Sequence, residues 1–308
     1  MRVAVIDLGT NTFNLLIADK RTSGGFVKTF SHRVPVKLGE GTINKGFISE
    51  TPFKRGIDTL KIFSDLIKQK KTDKIIAFAT SAIRTAKNGS DFINSAHEQT
   101  GIEIQIIDGD REAELIYFGN REAVKMDETI SLIMDIGGGS TEFILADKEK
   151  IIWKKSFLLG AARLIEKFRP SDPITQNQIK ELNNYLKKEL VSLFEAVHKN
   201  VPIELIGSSG AFDSIVDMMA GEYLTEGLSE KQTEYAVNLP EYLPLSEIII
   251  ASTISERKKI KGLIEMRVDM IVISCLLVNF ILKELSLSKL RVSTYSLKEG
   301  ILFNLFNL

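Results

Sequence analysis

Carboxylates, hydroxyls and glycines crowd into one stretch of this chain, Leu132-Ile133-Met134-Asp135-Ile136-Gly137-Gly138-Gly139-Ser140-Thr141-Glu142-Phe143-Ile144-Leu145. An apolar run of strand type ends on Asp135, three glycines and two hydroxyl residues follow, and Glu142 opens a second apolar run. Two strands joined this way make a hairpin whose loop is almost bare backbone. Glycine admits φ > 0 and close approach, so successive N–H groups can face one concavity and hold an anion. Asp135 and Glu142 offer hard oxygens that suit Mg2+, which usually takes one or two protein carboxylates together with phosphate oxygens and water. Mn2+ is the alternative ion for the same donors. The chemistry suggested is a metal–phosphate complex over a glycine loop. The spacing is neither G-x-x-x-x-G-K-[ST] nor G-x-G-x-x-G, because Glu142 stands where the third glycine of the latter would be. A ligand-free glycine turn is the plain alternative from this stretch alone.

The stretch occurs twice. Val5-Ile6-Asp7-Leu8-Gly9-Thr10-Asn11-Thr12-Phe13-Asn14 aligns without gaps on residues 133–142, with Asp7 on Asp135, Gly9 on Gly137 and Thr12 on Ser140. A period of about 128 residues is too long for a solenoid unit. It predicts a duplicated domain, two phosphate-facing hairpins closing on one cleft, and Asp7 and Asp135 across that cleft from each other.

Other candidates each have a plain alternative. Glu112, in Gly109-Asp110-Arg111-Glu112, reads from local pattern alone as one of several acids (Asp108, Asp110) complementing a helix dipole. Arg84, just past a strand end with Ser81, suits bidentate phosphate binding or a surface position. Gly207-Ser208-Ser209-Gly210, between a strand and a helix, suits phosphate at a helix N-terminus or simple serine capping. Arg257-Lys258-Lys259 with Lys261 reads as a solvated basic loop. His32, His97 and His198 are scattered, against a histidine-based metal hydrolase. Cys275 sits in an apolar helix, where an inert thiol is expected, and there is no G-x-S-x-G elbow. The hydrolytic chemistry left is carboxylate and Mg2+.

The elements that must position these residues follow from periodicity and punctuation. The first half reads as a hairpin, a third strand within 26–38, a helix from Thr51-Pro52 to about 70, a strand at 75–79, a helix at 90–99, a strand at 102–107 and a helix from 108 to about 124. The second half repeats this order: a hairpin, a strand at 151–157, a short helix after Leu159-Gly160, and a long helix from about 175 to 198. A strand at 203–206, helical segments across 211–285, a last strand at 289–293 and a last helix at 297–307 follow. The polar stretch Lys125-Met126-Asp127-Glu128 marks the boundary, dividing the chain into 1–124 and 125–308, and each half should hold a five-stranded mixed sheet.

The 308 residues, 44% apolar, allow ample core, and forty basic against forty acidic residues leave no global field for a polyanion. A nucleic-acid partner is not expected. One cysteine excludes a disulfide framework. The longest apolar run, 270–282, is too short to span a bilayer, and the chain enters a strand at once; a cytoplasmic protein without membrane contact is the expectation. A homodimer is compatible with the sequence.

These residues resemble the exopolyphosphatase / guanosine pentaphosphatase (Ppx/GppA) phosphatases of the actin-like ATPase superfamily. Five segments carry the resemblance: Ile6-Asp7-Leu8-Gly9-Thr10-Asn11-Thr12, Ala79-Thr80-Ser81-Ala82-Ile83-Arg84, Glu112-Ala113 with Tyr117 and Gly119, Asp135 to Glu142, and Leu159-Gly160-Ala161-Ala162-Arg163-Leu164. The resemblance implies an α/β fold of two tandem actin-like (RNase H-like) domains facing a central cleft, with the helix at 297–308 packing back on the first. It implies Glu112 as catalytic base, Mg2+ on Asp135, Glu142 and the backbone of Gly137, and phosphate contacts from Gly9, Thr10, Asn11, Thr12, Ser81, Arg84, Gly137, Gly138, Gly139, Ser140 and Thr141. Ser208 and Gly210 join these from their strand–helix turn. Ser296 and Lys298 depart from the glycine and arginine usual in the family. Longer members carry a further HD-type domain, so the short two-domain form is expected. The expected reaction is hydrolysis of the terminal phosphoanhydride of inorganic polyphosphate. A pppGpp 5′-phosphohydrolase, a kinase of the same fold and a non-catalytic polyphosphate or (p)ppGpp sensor are the alternatives.

Overall fold

The structure is a computed structural model that describes residues 1–22, 24–225 and 232–306. Strand β1 (Arg2–Leu8) carries the continuous apolar run Val3-Ala4-Val5-Ile6, the pattern of a strand covered on both faces. It pairs antiparallel with β2 (Thr12–Lys20), which pairs with β3 (Phe26–Pro35). The other edge of β1 takes β4 (Lys74–Ala79) in parallel, and β5 (Ile104–Ile106) follows beyond it. Parallel neighbours need long crossovers. These are supplied by α1 (Glu50–Gln69), with Pro52 in its first turn, and by the short α2 (Ser81–Thr85) with α3 (Gly89–Thr100). Helix α4 (Gly109–Ala123) closes the half.

The second half repeats this order. Strands β6 (Ser131–Ile136), β7 (Thr141–Ala146) and β8 (Ile151–Phe157) lead through α5 (Ala161–Phe168), α6 (Gln176–Glu189) and α7 (Val191–Lys199) to β9 (Glu204–Ser208). Helix α8 (Gly210–Ala220), β10 (Glu234–Val237), α9 (Leu239–Ala251), α10 (Ile254–Arg257), α11 (Ile271–Glu284), β11 (Leu290–Ser293) and α12 (Leu297–Phe306) complete it. The sheets run β3-β2-β1-β4-β5 and β8-β7-β6-β9-β11-β10, the same order with one strand added. The expected five strands in the second sheet are therefore six. β10 is a four-residue edge strand, too short for alternation to distinguish it from the helices around it. The single helix expected at 175–198 is two, broken at Leu190.

Both faces of each sheet are buried. Ala4, Ile6, Phe13 and Leu15 meet Leu60, Phe63 and Phe92 of the outer helices α1 and α3. Val3, Val5, Leu16 and Ala18, on the opposite face, meet Leu115 and Ile116 of α4, Ile301 and Leu302 of α12, and Ile133, Ile144 and Ile206 of the second sheet. So α4 and α12 form a middle layer between the sheets. Each such side chain contributes roughly 1.5–3 kcal/mol on burial. The two helices approach closely because a Cβ on Gly300 would lie 1.8 Å from the Leu115 carbonyl oxygen. The outer face of the second sheet packs Leu132, Met134, Phe143 and Leu145 against the remaining helices, α11 among them. Among the described residues no helix is long and apolar enough to cross a membrane.

Candidate active site

Antiparallel register places Asp135 directly opposite Glu142 and, in the first hairpin, Asp7 opposite Asn14. Residues so paired share a face with Cβ atoms about 4.5–5.5 Å apart, and like charges there repel. The first hairpin avoids the problem: Asn14 Nδ2 donates to Asp7 Oδ2 at 3.1 Å. The second keeps two carboxylates, both buried. Burial, with Asp135 beside it, pushes Glu142 up to about 7, and burial likewise raises Asp135. Each has a hydroxyl holding one oxygen: Ser208 Oγ donates to Asp135 Oδ2 at 2.8 Å, and Ser156 Oγ to Glu142 Oε1 at 2.6 Å. Two oriented carboxylates that repel each other fit a divalent cation of hard-oxygen preference, Mg2+ or Mn2+. Among the described residues no group of three or more acidic, histidine or cysteine side chains is placed to hold a metal ion. The Gly137 carbonyl already accepts from Ala161 N–H at 2.9 Å, leaving one lone pair.

The turns are built alike. Gly9 N–H donates to the Thr12 carbonyl at 3.1 Å and Gly137 N–H to the Ser140 carbonyl at 3.0 Å. In the second turn the carbonyls are drawn towards α5: Ala161 N–H takes Gly137, Arg163 N–H takes Gly138 at 3.0 Å, and Arg163 Nε takes Gly139 at 2.8 Å. The loop also abuts the first half. A Cβ on Gly139 would stand 2.4 Å from Thr10 Oγ1 and 2.6 Å from Ser81 Oγ. Both hydroxyls are buried without a partner among the described residues, as anion-binding groups would be. Further links cross the same seam. Arg163 Nη1 donates to the Ile43 carbonyl at 3.1 Å, and Glu166 accepts from Ile43 and Asn44 N–H at 3.3 and 3.1 Å.

Glu112 sits in the first turn of α4, but it is not the residue that caps the helix. Asp108 Oδ1 accepts from Arg111 N–H at 2.7 Å and performs that task. Glu112 is only 7% exposed and lines the cleft. Burial, then Glu142, raises its pKa well above the carboxylate range, although Arg84 opposes them. Arg84 Nη1 donates to Glu112 Oε2 at 2.7 Å and to the Ile107 carbonyl at 3.0 Å. The arginine expected on phosphate thus has Glu112 as its partner in this structure.

Gly9 to Thr12, Ser81, Gly137 to Ser140 and Gly210 line one cleft with Glu112, Asp135 and Glu142, and Asp7 is there too. Arg84, Thr141 and Ser208 are not on its wall. The Thr141 hydroxyl is fully buried and donates to the Leu159 carbonyl at 3.1 Å, while Ser208 acts through Asp135. Serine capping of α8 is not observed: Ser209, at φ 71°, donates its hydroxyl to the Ile136 carbonyl instead. Arg257 is no solvated cation either, being buried and paired with Asp172 at 2.8 Å. Sequence reasoning missed Lys28, Arg33, Asp213 and Arg267 on the cleft wall, and named Lys298 there only as a departure from the family's arginine. For Lys28 no local signal existed. A register shift between Ile17 and Ala18 puts it on the same face as Ser31 and Arg33, as bulges re-aim side chains. Cys275 is buried and its thiol is pushed up to about 12 by that burial, which leaves it inert.

Two halves of one topology, back to back through α4 and α12 with a glycine hairpin from each facing one cleft, define the actin-like ATPase fold. The profile of the Ppx/GppA phosphatase family matches residues 16–307. A crystal structure of an exopolyphosphatase from Cytophaga hutchinsonii is 41% identical, with 100% of this chain and 98% of that one covered and a TM-score of 0.95. The Aquifex aeolicus PPX-GPPA enzyme is 25% identical over 99% of both chains, with a TM-score of 0.81. Exopolyphosphatase 1 of Mycobacterium tuberculosis is 28% identical over 306 residues, 98% of this chain and 87% of that protein. The chain belongs to the Ppx/GppA phosphatase family and is an enzyme.

Proposed function

We propose that this enzyme is an exopolyphosphatase, releasing orthophosphate from the end of inorganic polyphosphate with Mg2+ and with Glu112 as general base. The observation that carries the reading is Glu112 itself, buried and opening onto the same cleft as the Asp135–Glu142 pair. Asp135 and Glu142 would hold the ion, which when bound supplies positive charge to the phosphate oxygens. With Gly9 and Gly137 N–H committed inside their turns, the other N–H groups of the two turns and the Thr10 and Ser81 hydroxyls bind the terminal phosphate and take up charge as the bridging oxygen leaves. Arg84 holds Oε2 of Glu112, so Oε1 is the oxygen left to accept the proton of the attacking water. That water forms the new P–O bond of the released orthophosphate. The raised pKa of Glu112 suits a base working near neutrality, because its affinity for the proton is higher than that of an ordinary carboxylate.

The cleft holds about 160 Å3, room for phosphate groups, and Thr10 and Asn11 on its wall also line a second hollow of about 440 Å3. A sensor would not need base and metal ligands together. The test is phosphate release with Mg2+ from long polyphosphate, tripolyphosphate, pppGpp and ATP side by side, repeated with chelator. Release from long polyphosphate that chelator abolishes is expected. A faster reaction on pppGpp, or no release from polyphosphate, would overturn the assignment.

A further inference from the structure

The proposed substrate is a polyanion, yet the cleft is lined by six carboxyl side chains against four cations. Part of that positive charge is already committed: Lys28 Nζ lies 2.8 Å from Glu299 Oε1. The C-terminal helix brings in another cation, Lys298. Its neighbours in the chain are held on every side. Leu297 is buried, Glu299 is tied to Lys28 and to Ser296 N–H at 3.0 Å, and Gly300 rests on the Leu115 carbonyl. Fixed in this way, Lys298 lines the cleft within electrostatic reach of Asp7 on β1, Asp135 on β6 and Asp213 on α8, as well as Glu299 beside it. Asp7 is still raised to about 6 and Asp213 to about 7, burial outweighing the lysine at both. Among the described residues Lys298 closes no direct ion pair, whereas its cleft neighbour Lys28 does. The charge of Lys298 acts on three carboxylates from both halves, and the residue is half-buried on the cleft wall.

We infer that Lys298 is a substrate-binding residue, its ammonium meeting a non-bridging oxygen of the phosphate chain at the floor of the cleft. This rests on the polyphosphate reading above. A lysine there is a compact point charge with three donors, suited to a phosphate oxygen approached from any side. One charge-assisted contact of this kind accounts for about tenfold or more in affinity.

The test is Lys298→Met and Lys298→Gln beside Lys298→Arg. Binding of tripolyphosphate is measured by calorimetry, and steady-state hydrolysis and thermal melting are measured in parallel. For Met and Gln the expected result is Kd and KM for polyphosphate raised about tenfold or more with kcat within a few-fold, the pattern of lost uniform binding. Lys298→Arg should restore both constants. A lysine that serves only as counter-ion to Asp7, Asp135 and Asp213 would change the melting temperature and leave Kd and KM at parental values. That result, or a loss confined to kcat, overturns the inference. Lys298-dependent tripolyphosphate binding by a parent chain that releases no phosphate would sink the hydrolytic reading and leave this one standing.

Discussion

Replacing Glu112 by Gln removes the basic site while keeping length and an acceptor oxygen for Arg84 Nη1, now 2.7 Å from the carboxylate. The rate on polyphosphate should fall by roughly the 10²–10⁴ typical of a general base. Stability should move the other way. A carboxyl whose pKa is higher in the fold than in the unfolded chain adds stability only below its unfolded value, and that contribution is lost as pH rises through the folded one. Glu112 is raised well above the ordinary range, burial and Glu142 outweighing Arg84, so at pH 7 it costs stability. Each pH unit of that gap is worth about 1.4 kcal/mol. The relief should appear as a higher melting temperature at pH 7 and shrink as the pH is lowered towards the ordinary carboxylate value. Phosphate release and thermal melts at pH 7 and pH 5 measure both arms. A fully active variant would refute Glu112 as base. A variant that melts lower at pH 7 would refute the claim that its charge is held at a cost.

Asp135→Asn removes one of the two facing carboxylates and should raise the Mg2+ concentration for half-maximal activity; identical Mg2+ titrations of variant and parent would exclude Asp135 as a ligand. Gly139→Ala puts a methyl 2.4 Å from Thr10 Oγ1 and 2.6 Å from Ser81 Oγ, forcing the two loops apart. Displacements of that order cost up to about a hundredfold in rate, and the overpacking itself roughly 1–3 kcal/mol in stability; parental activity would show that the loops need not touch. Lys28→Met strips Glu299 of its partner. Burial alone would raise Glu299, but Lys28 and Lys298 bring it down to about 2, so its contribution is present above the ordinary carboxylate pKa and lost as pH falls towards 2. Breaking this buried pair should cost roughly 3 kcal/mol at pH 7, with the difference from the parent vanishing near pH 2 in denaturant titrations.

The hairpins, the crossover helices and the 128-residue repeat were legible because they rest on local physics: apolar periodicity, glycine at the turns, proline in a first helical turn. The repeat even foretold the common sheet order, and with it the placing of Asp7 and Asp135 in one cleft. One strand escaped: four residues of β10 carry too little pattern to show an edge. Local pattern did not show the surroundings of Glu112, and only the family resemblance singled it out. Its sequence neighbours suit a helix dipole, and only packing of α4 against the second sheet buries it beside Glu142 and Arg84. The same holds for Ser208 on Asp135, for Arg163 holding the Gly139 carbonyl, and for Lys28 turned by a bulge onto the cleft face. These partners lie tens of residues or more apart in the chain. Backbone preferences act over a few residues, so a side chain's protonation and hydrogen-bond partner are decided only when distant elements exclude water from around it.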